Sequence, residues 1–239
     1  MRQLFSSSIR SRYVTYQMVI VSFTVFLSII ILIPVAWMLN ASVRPIKEIL
    51  SYPPKFNFDS LTTKYFVSII KNETYQQYFY NSTILAVSTL FLTVGLGLLA
   101  AYGFSRFKMR GGRFLLLGIM ALLMLPTVTL IIPYFLLAKT IGIYDSVFGL
   151  VIVNTAFILP ICIWLLKGYV DSIPIDLEEA AMIDGCTRVQ AIWKILVPLV
   201  LPGLVGTGTF VFIFSWNEYL LAVTLTDSPE SQTLTVGLA

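Results

Sequence analysis

The chain has 239 residues, of which 57% are hydrophobic and 12% are charged, with a formal net charge of +4. Soluble domains carry roughly 25% charged residues, so this composition excludes an ordinary soluble fold. The chain has no histidine and two cysteines, Cys162 and Cys186. A histidine-based catalytic triad and a histidine-ligated metal within this chain are therefore excluded as well, and the two cysteines imply no disulfide framework.

Five apolar runs stand out along the chain, and they are nearly free of charged residues. A helix needs about 20 apolar residues to cross the hydrocarbon core of a bilayer. Prolines inside such helices are tolerated, because neighbouring helices satisfy the freed backbone groups. The sequence therefore predicts an all-α membrane protein, a polytopic helical bundle. The five predicted membrane helices cover residues 18–39, 84–104, 114–137, 147–166 and 199–225.

The first run is longer than the 7–15 apolar residues of a secretory signal core. We therefore expect it to remain as a membrane anchor. Residues 1–17 are predicted to form a cytoplasmic tail, and residues 18–239 a single transmembrane domain.

Basic residues lie in two dense clusters, one in the tail and one in the segment 106–113, whereas the short loop after the third run has only Lys139. The positive-inside rule then places the N-terminus and the 105–113 loop in the cytoplasm. The loop of residues 40–81, with a turn at Pro53-Pro54, is expected outside. Because these charges lie between apolar runs, we interpret them as a topology signal and expect no nucleic-acid partner.

The cytoplasmic segment between the fourth and fifth runs, residues 168–198, has two predicted helices outside the bilayer. Asp176 precedes Glu179 by three residues, the spacing of a capping box. Gly185 is expected to end this first helix, since glycine adopts a left-handed conformation without steric cost. Thr187 and Gln190 repeat the capping-box spacing for the second helix.

The second predicted helix has one apolar face, which is formed by Val189, Ile192, Trp193 and Leu196 at helical spacing. An apolar stripe on a cytoplasmic loop packs either against the protein's own helices or the lipid interface, or into a groove on a partner.

Residues 177–203, LEEAAMIDGCTRVQAIWKILVPLVLPG, resemble the loop that marks permease subunits of binding-protein-dependent ABC importers. Residues 104–111, 215–225 and 233–238 further resemble the carbohydrate-uptake, maltose-type branch, although Thr235 stands where that branch often has proline. The positions that match the loop motif are Glu179, Ala180, Ala181, Asp184, Gly185 and Pro198.

The resemblance implies a permease that is not itself an enzyme. Two permease subunits would form the pathway, and the second is expected to be a different chain. Two cytoplasmic ATPase subunits would bind ATP and magnesium, so this chain needs no cofactor or metal. An external binding protein would deliver a sugar. The family core has six membrane helices, so five predicted helices suggest a truncated chain.

The same resemblance implies that five residues of the 168–198 loop contact the ATPase. Glu179 also has a local explanation, because it can cap its own helix. Asp184-Gly185 can likewise be explained as a turn alone. The predicted contact residues are Glu179, Ala180, Ala181, Asp184 and Gly185.

Glu218 is the only acidic residue inside a predicted membrane helix. A carboxylate at membrane depth usually faces a cavity or a partner. Asn217 beside it can hydrogen-bond sugar hydroxyls, and Trp216 and Tyr219 can stack on sugar rings. We expect these four residues near the outer end of a substrate pathway, with Asn217 and Glu218 facing inward and Tyr219 packed on a neighbouring helix. A structural salt bridge or an outer gate is an equally good interpretation of Glu218.

Other classes of protein fit the sequence less well. A secondary transporter would need an ion-coupling site and inverted repeats, and a membrane-embedded enzyme would need a catalytic cluster. Neither pattern is evident. Within the importer class, the alternative substrates are a polyamine, a phosphate ester or a peptide.

Overall fold

The structure is a computed structural model that describes residues 2–52 and 60–239, with side chains from residue 16 onward. The predicted turn at Pro53-Pro54 lies outside the described residues. The described residues form helices and no strands. The chain divides into two compact units, residues 1–71 and 72–239.

The first unit contains α1 (Arg2–Ser42), α2 (Ile46–Ile49) and α3 (Lys64–Lys71). The stretch Tyr16–Ser42 of α1 has a mean hydropathy of 2.8 and is long enough to cross a membrane. α1 continues through the predicted tail without a break, so residues 2–17 are helical.

The second unit contains nine further helices, grouped around the long α4 (Glu73–Arg106), α7 (Val147–Asp171) and α10 (Val197–Trp216). Asn72 caps α4 by accepting hydrogen bonds from the backbone amides of its first turn, and Ser146 caps α7 in the same way. The other helices are α5 (Gly112–Leu122), α6 (Thr127–Ile141), α8 (Asp176–Ile183), α9 (Arg188–Ala191), α11 (Leu220–Leu225) and α12 (Leu234–Gly237).

The core of this unit lies where α4, α7 and α10 pack together. Small residues allow the close approach of α4 and α7: a Cβ atom on Gly97 would lie only 2.7 Å from the Cys162 sulfur. A Cβ atom on Gly203 of α10 would lie 2.3 Å from the ring of Tyr169 on α7. Such small residues at helix interfaces are typical of membrane bundles, where packing rather than hydrophobicity holds helices together.

The prediction of five continuous membrane helices is correct for the first, second and fourth runs. The third run forms two helices, α5 and α6, bent by 96°. Pro126 explains the break, because it lacks a backbone N–H and disfavours helical geometry at Leu125. The described residues therefore contain four helices long enough to span a membrane, or five if α5 and α6 together form one span.

The fifth run also differs from its prediction at both ends. α9 is not separate from the membrane helix, because it continues into α10 through a π-helical segment, Ile192–Leu196. Pro198 cannot donate a backbone hydrogen bond, which favours this wider turn just before it. At the other end α10 stops at Trp216, and a break separates it from α11.

Candidate functional site

The 168–198 loop begins with the last turn of α7, and its first separate helix is α8, which starts at Asp176. The predicted capping box between Asp176 and Glu179 is wrong: Ile175 occupies the N-cap position, has helical dihedral angles and makes no side-chain cap. Three acidic residues in the first turn stabilise this end of α8 through the helix dipole instead.

The predicted end of α8 at Gly185 is confirmed. Gly185 has φ +94°, a left-handed value that residues with a side chain rarely adopt. The amide of Cys186 donates to the carbonyl of Ala181 at 3.0 Å, and the amide of Gly185 donates to Met182 at 3.1 Å. These two bonds form a Schellman motif, which turns the chain sharply and satisfies the last carbonyl groups of α8.

The second predicted capping box is also confirmed. The Thr187 amide donates to Oε1 of Gln190 at 2.8 Å, and the Gln190 amide donates to Oγ1 of Thr187 at 3.3 Å. Two backbone donors at the start of α9 are therefore satisfied reciprocally. The turn between α8 and α9 is fixed on both sides.

The loop exposes one side of α8. Glu179, Ala180, Asp184 and Gly185 are exposed, whereas Ala181 is only 7% exposed and lies inside the chain. Four of the five predicted contact residues are thus accessible to a partner, and the fifth packs the helix against its own subunit.

The structure also shows a contact that sequence reasoning missed. Nε of Arg106, the last residue of α4, lies 2.7 Å from Oε1 of Glu178. Both side chains are buried, with relative exposures of 6% and 3%. From the sequence, Arg106 is interpreted only as part of a topology signal. The spacing of Glu178 and Ala181, three residues apart on one helix face, was the available clue.

The predicted pathway residues lie at the break between α10 and α11. The Trp216 ring stacks on Phe212 with centroids 5.9 Å apart, and it meets the edge of Phe79 at 5.7 Å. Asn217 is the C-cap residue of α10. It is exposed, and its Nδ2 donates to the carbonyl of Ile213 at 2.8 Å. Tyr219 is 39% exposed.

Glu218 is buried at this break, with 8% of its surface exposed. Its Oε1 accepts a hydrogen bond from the backbone amide of Leu221 at 2.8 Å, at the start of α11. Its carbonyl accepts a hydrogen bond from the Thr235 hydroxyl at 2.8 Å. The carboxylate therefore holds a helix start in place, and the break is built into the fold.

At the same end of the bundle, Asp145 fixes the segment 226–233. Its Oδ1 accepts hydrogen bonds from the amides of Asp227 at 2.8 Å and Ser228 at 3.0 Å, and from the Ser231 hydroxyl. Asn81 of α4 donates to two further carbonyls of this segment, those of Glu230 and Gln232. Sequence analysis had assigned none of these residues a role.

No group of three or more cysteine, aspartate and glutamate side chains that could hold a metal ion occurs within the described residues. The polar groups of the site instead fix helix ends and turns. Together, a bundle of long apolar helices and a capped helical turn at one end define a polytopic membrane protein.

Comparison with known proteins identifies the family. Residues 93–238 match the model of the inner membrane component of binding-protein-dependent transport systems. The chain belongs to this family. It is a multi-pass permease subunit of ABC importers, and it is not an enzyme.

Several permeases are similar to the chain over most of its length. The sulfoquinovosyl glycerol permease SmoH of Agrobacterium fabrum is 33% identical, over 87% of this chain and 73% of the relative. The trehalose permease SugB of Mycobacterium tuberculosis is 35% identical, over 87% of this chain and 75% of the relative. The diacetylchitobiose permease DasC of Streptomyces coelicolor is 32% identical, over 90% of this chain and 78% of the relative.

A solved structure has the same fold. It is the crystal structure of a bacterial ABC transporter involved in the import of the acidic polysaccharide alginate. The match has a TM-score of 0.79 at 22% identity, and it covers 93% of this chain and 78% of the other.

Proposed function

We propose that this chain forms half of the membrane pathway through which an ABC importer takes up a sugar or an oligosaccharide. The observation that carries this proposal is the kind of substrate for which its relatives are named: sulfoquinovosyl glycerol, trehalose and diacetylchitobiose all contain sugars. None of these three relatives is a permease for a polyamine, a phosphate ester or a peptide.

The partners follow from the family. We expect cytoplasmic ATPase subunits that bind ATP and magnesium, a second and different permease chain, and an external solute-binding protein. Glu179, Ala180, Asp184 and Gly185 are proposed as the ATPase contact. Their exposure on one side of a fixed turn supports this role, because small residues allow close backbone approach and the carboxylates can pair with basic residues.

Ala181 has a different place in this proposal. Because its side chain is buried within the subunit, it supports α8 from inside, and Ala180 faces the partner. We further propose that the tail of residues 1–17 and the 168–198 loop are cytoplasmic, on the basis of the dense basic clusters.

The outer end of the pathway is proposed to lie at Trp216, Asn217, Glu218 and Tyr219. The exposed Asn217 amide and Tyr219 ring can contact sugar hydroxyls and sugar rings. Glu218 acts differently, since its carboxylate holds the start of α11. Its role is to shape the break between α10 and α11, where Asn217 and Tyr219 are exposed.

Uptake in proteoliposomes tests the function. The chain is reconstituted with the ATPase, the second permease and the binding protein encoded with it. Candidate sugars such as trehalose and diacetylchitobiose are supplied outside with ATP inside. We expect accumulation that requires both ATP and the binding protein. Uptake driven by an ion gradient without ATP, or ATP-dependent uptake of polyamines or peptides but not of sugars, would contradict the proposal.

A further inference from the structure

The end of α4 carries a buried positive charge. Arg106 is the last residue of this helix, and its side chain is only 6% exposed. Arginine is almost never buried unless it is paired. Here the partner is Glu178 of α8, whose Oε1 lies 2.7 Å from Nε of Arg106. A charge-assisted bond of this length between two buried groups is strong and directional.

The same guanidinium group makes a second bond. Its Nη2 donates to the carbonyl of Ile173 at 2.9 Å, in the turn that connects α7 to α8. Arginine suits this position because its planar fork presents several donors in fixed directions. One side chain on α4 thus holds both the start of the 168–198 loop and the first turn of α8.

Phe107, the residue after Arg106, contacts α9 of the loop. The guanidinium carbon of Arg188, at the start of α9, lies 5.2 Å from the centroid of the Phe107 ring. Phe107 in turn packs edge-on against Tyr102 of α4, with ring centroids 6.0 Å apart. Residues 106 and 107 therefore contact α8 and α9 on the two sides of the Gly185 turn.

α8 consequently has two different faces. Glu179 and Ala180 are exposed, whereas Glu178 and Ala181 are buried and face the subunit's own helices. We propose that the Arg106–Glu178 ion pair is the link that makes α8 and α4 move together, so that a displacement of α8 by the ATPase is passed to the membrane helix. Glu178 is then a positioning residue for transport, distinct from the exposed Glu179.

This inference rests on the proposed function, because it requires that α8 receives the ATPase. A role of the pair in stability alone makes a different prediction from a role in transmitting a displacement. Replacing a buried ion pair with apolar side chains of similar volume is often neutral or stabilising. A pair that serves only the fold is therefore replaceable by two apolar residues, whereas a pair that transmits a displacement through directional bonds is not.

The test compares three variants in the reconstituted importer. Glu178→Gln removes one charge, and Arg106→Met with Glu178→Met replaces the pair with apolar side chains. The control is Lys167→Gln, which breaks the Lys167–Asp171 pair near the end of α7 and leaves the Asp171 carboxylate and its interaction with Arg106 in place. The quantity measured is sugar taken up per ATP hydrolysed, at equal amounts of assembled complex.

We expect both pair variants to hydrolyse ATP at nearly the normal rate while uptake per ATP falls about tenfold, within the usual range of coupling between sites. Lys167→Gln should keep the normal ratio. An unchanged ratio in the pair variants, including a proportional fall of both rates, would overturn the inference. So would failure of both pair variants to assemble while the control assembles, because the pair would then serve the fold. Absence of ATP-driven sugar uptake in the unmodified protein would instead refute the proposed function.

Discussion

The carboxylate of Asp145 accepts a hydrogen bond from the backbone amide of Asp227 at 2.8 Å, across 82 residues of the chain. The same oxygen accepts a bond from the Ser228 amide. Asp145 itself has φ 55°, a left-handed value that aspartate and asparagine tolerate better than most residues. One side chain before α7 therefore holds the segment that follows α11.

The first prediction concerns this contact. Asp145→Gly keeps the left-handed backbone and removes the acceptor, so the amides of Asp227 and Ser228 lose their partner. We expect hydrogen exchange at these two amides to accelerate by about tenfold or more, because a hydrogen bond to a charged group contributes roughly 1.5–3 kcal/mol. Asp145→Asn is the matched control, because its oxygen still accepts and most protection should remain. Equal exchange rates in both variants would show that the carboxylate does not hold the segment.

Acid titration gives a second readout of the same contact. Hydrogen bonds from Ser231, Asp227 and Ser228 lower the pKa of the Asp145 carboxyl from 3.8 to about 2. Because the folded-state pKa is depressed, the stabilisation is complete above 3.8 and is lost as the pH falls through about 2. Protection of the two amides, corrected for intrinsic exchange, should therefore stay constant from neutral pH to about pH 4 and fall below it.

The second prediction concerns topology. Cys162 is fully buried and Cys186 is partly exposed, so an impermeant thiol reagent should react with Cys186 alone. If the 168–198 loop is cytoplasmic, labelling requires permeabilised membranes. Cys186→Ser is the control that should abolish the signal. Labelling of intact cells at Cys186 would reverse the proposed orientation.

The third prediction separates the two alanines of the loop motif. Ala180→Arg places a large charged side chain on the exposed face of α8, and we expect loss of co-purification with the ATPase from a subunit that still folds. Ala181→Arg forces the same side chain into a buried position, so the subunit itself should be unstable, by roughly 1–3 kcal/mol or more. Retained ATPase binding in Ala180→Arg would remove this face from the contact.

The fourth prediction concerns the break between α10 and α11. Asn217→Ala removes an exposed amide, so uptake should weaken while assembly with the ATPase stays normal. Glu218→Gln keeps an oxygen that can accept from the Leu221 amide, so we expect a milder defect than with Glu218→Ala. Uptake and assembly are measured for all three variants at equal expression. Normal uptake in Asn217→Ala and Glu218→Ala would exclude this segment from the pathway.

The fifth prediction concerns the packing of α10 against α7. A methyl group on Gly203 would lie 2.3–2.6 Å from three ring atoms of Tyr169, so Gly203→Ala should destabilise the purified protein by roughly 1–3 kcal/mol. Gly206→Ala is the matched control, because its nearest neighbour would be 3.9 Å away. Adding Tyr169→Ala to Gly203→Ala should recover part of the loss. Equal thermal stability of the two glycine variants would contradict this packing.

Much of the fold could be predicted from the sequence because the signals are local. An apolar run of about 20 residues predicts a membrane helix wherever it lies, as for α4 and α7. The capping box of Thr187 and Gln190 and the left-handed Gly185 depend on neighbours within five residues. The expected helices and the turn at these positions are confirmed for that reason.

The errors had both distant and local causes. Residues 199–225 form an apolar run that predicts one helix, yet the chain breaks at Glu218, whose carbonyl is held by Thr235 from 17 residues away. The box expected at Asp176 fails because the preceding residue already adopts helical geometry.

The sequence by itself determined the class of the protein, the unbroken membrane helices and the loop motif, because composition, hydropathy and capping act over a few residues. Only the tertiary structure decided which side of α8 is exposed, and that Arg106 meets Glu178 across 72 residues of the chain. Such pairs depend on how helices pack against one another. A single sequence contains no direct signal for the distance between two helices or for their relative rotation.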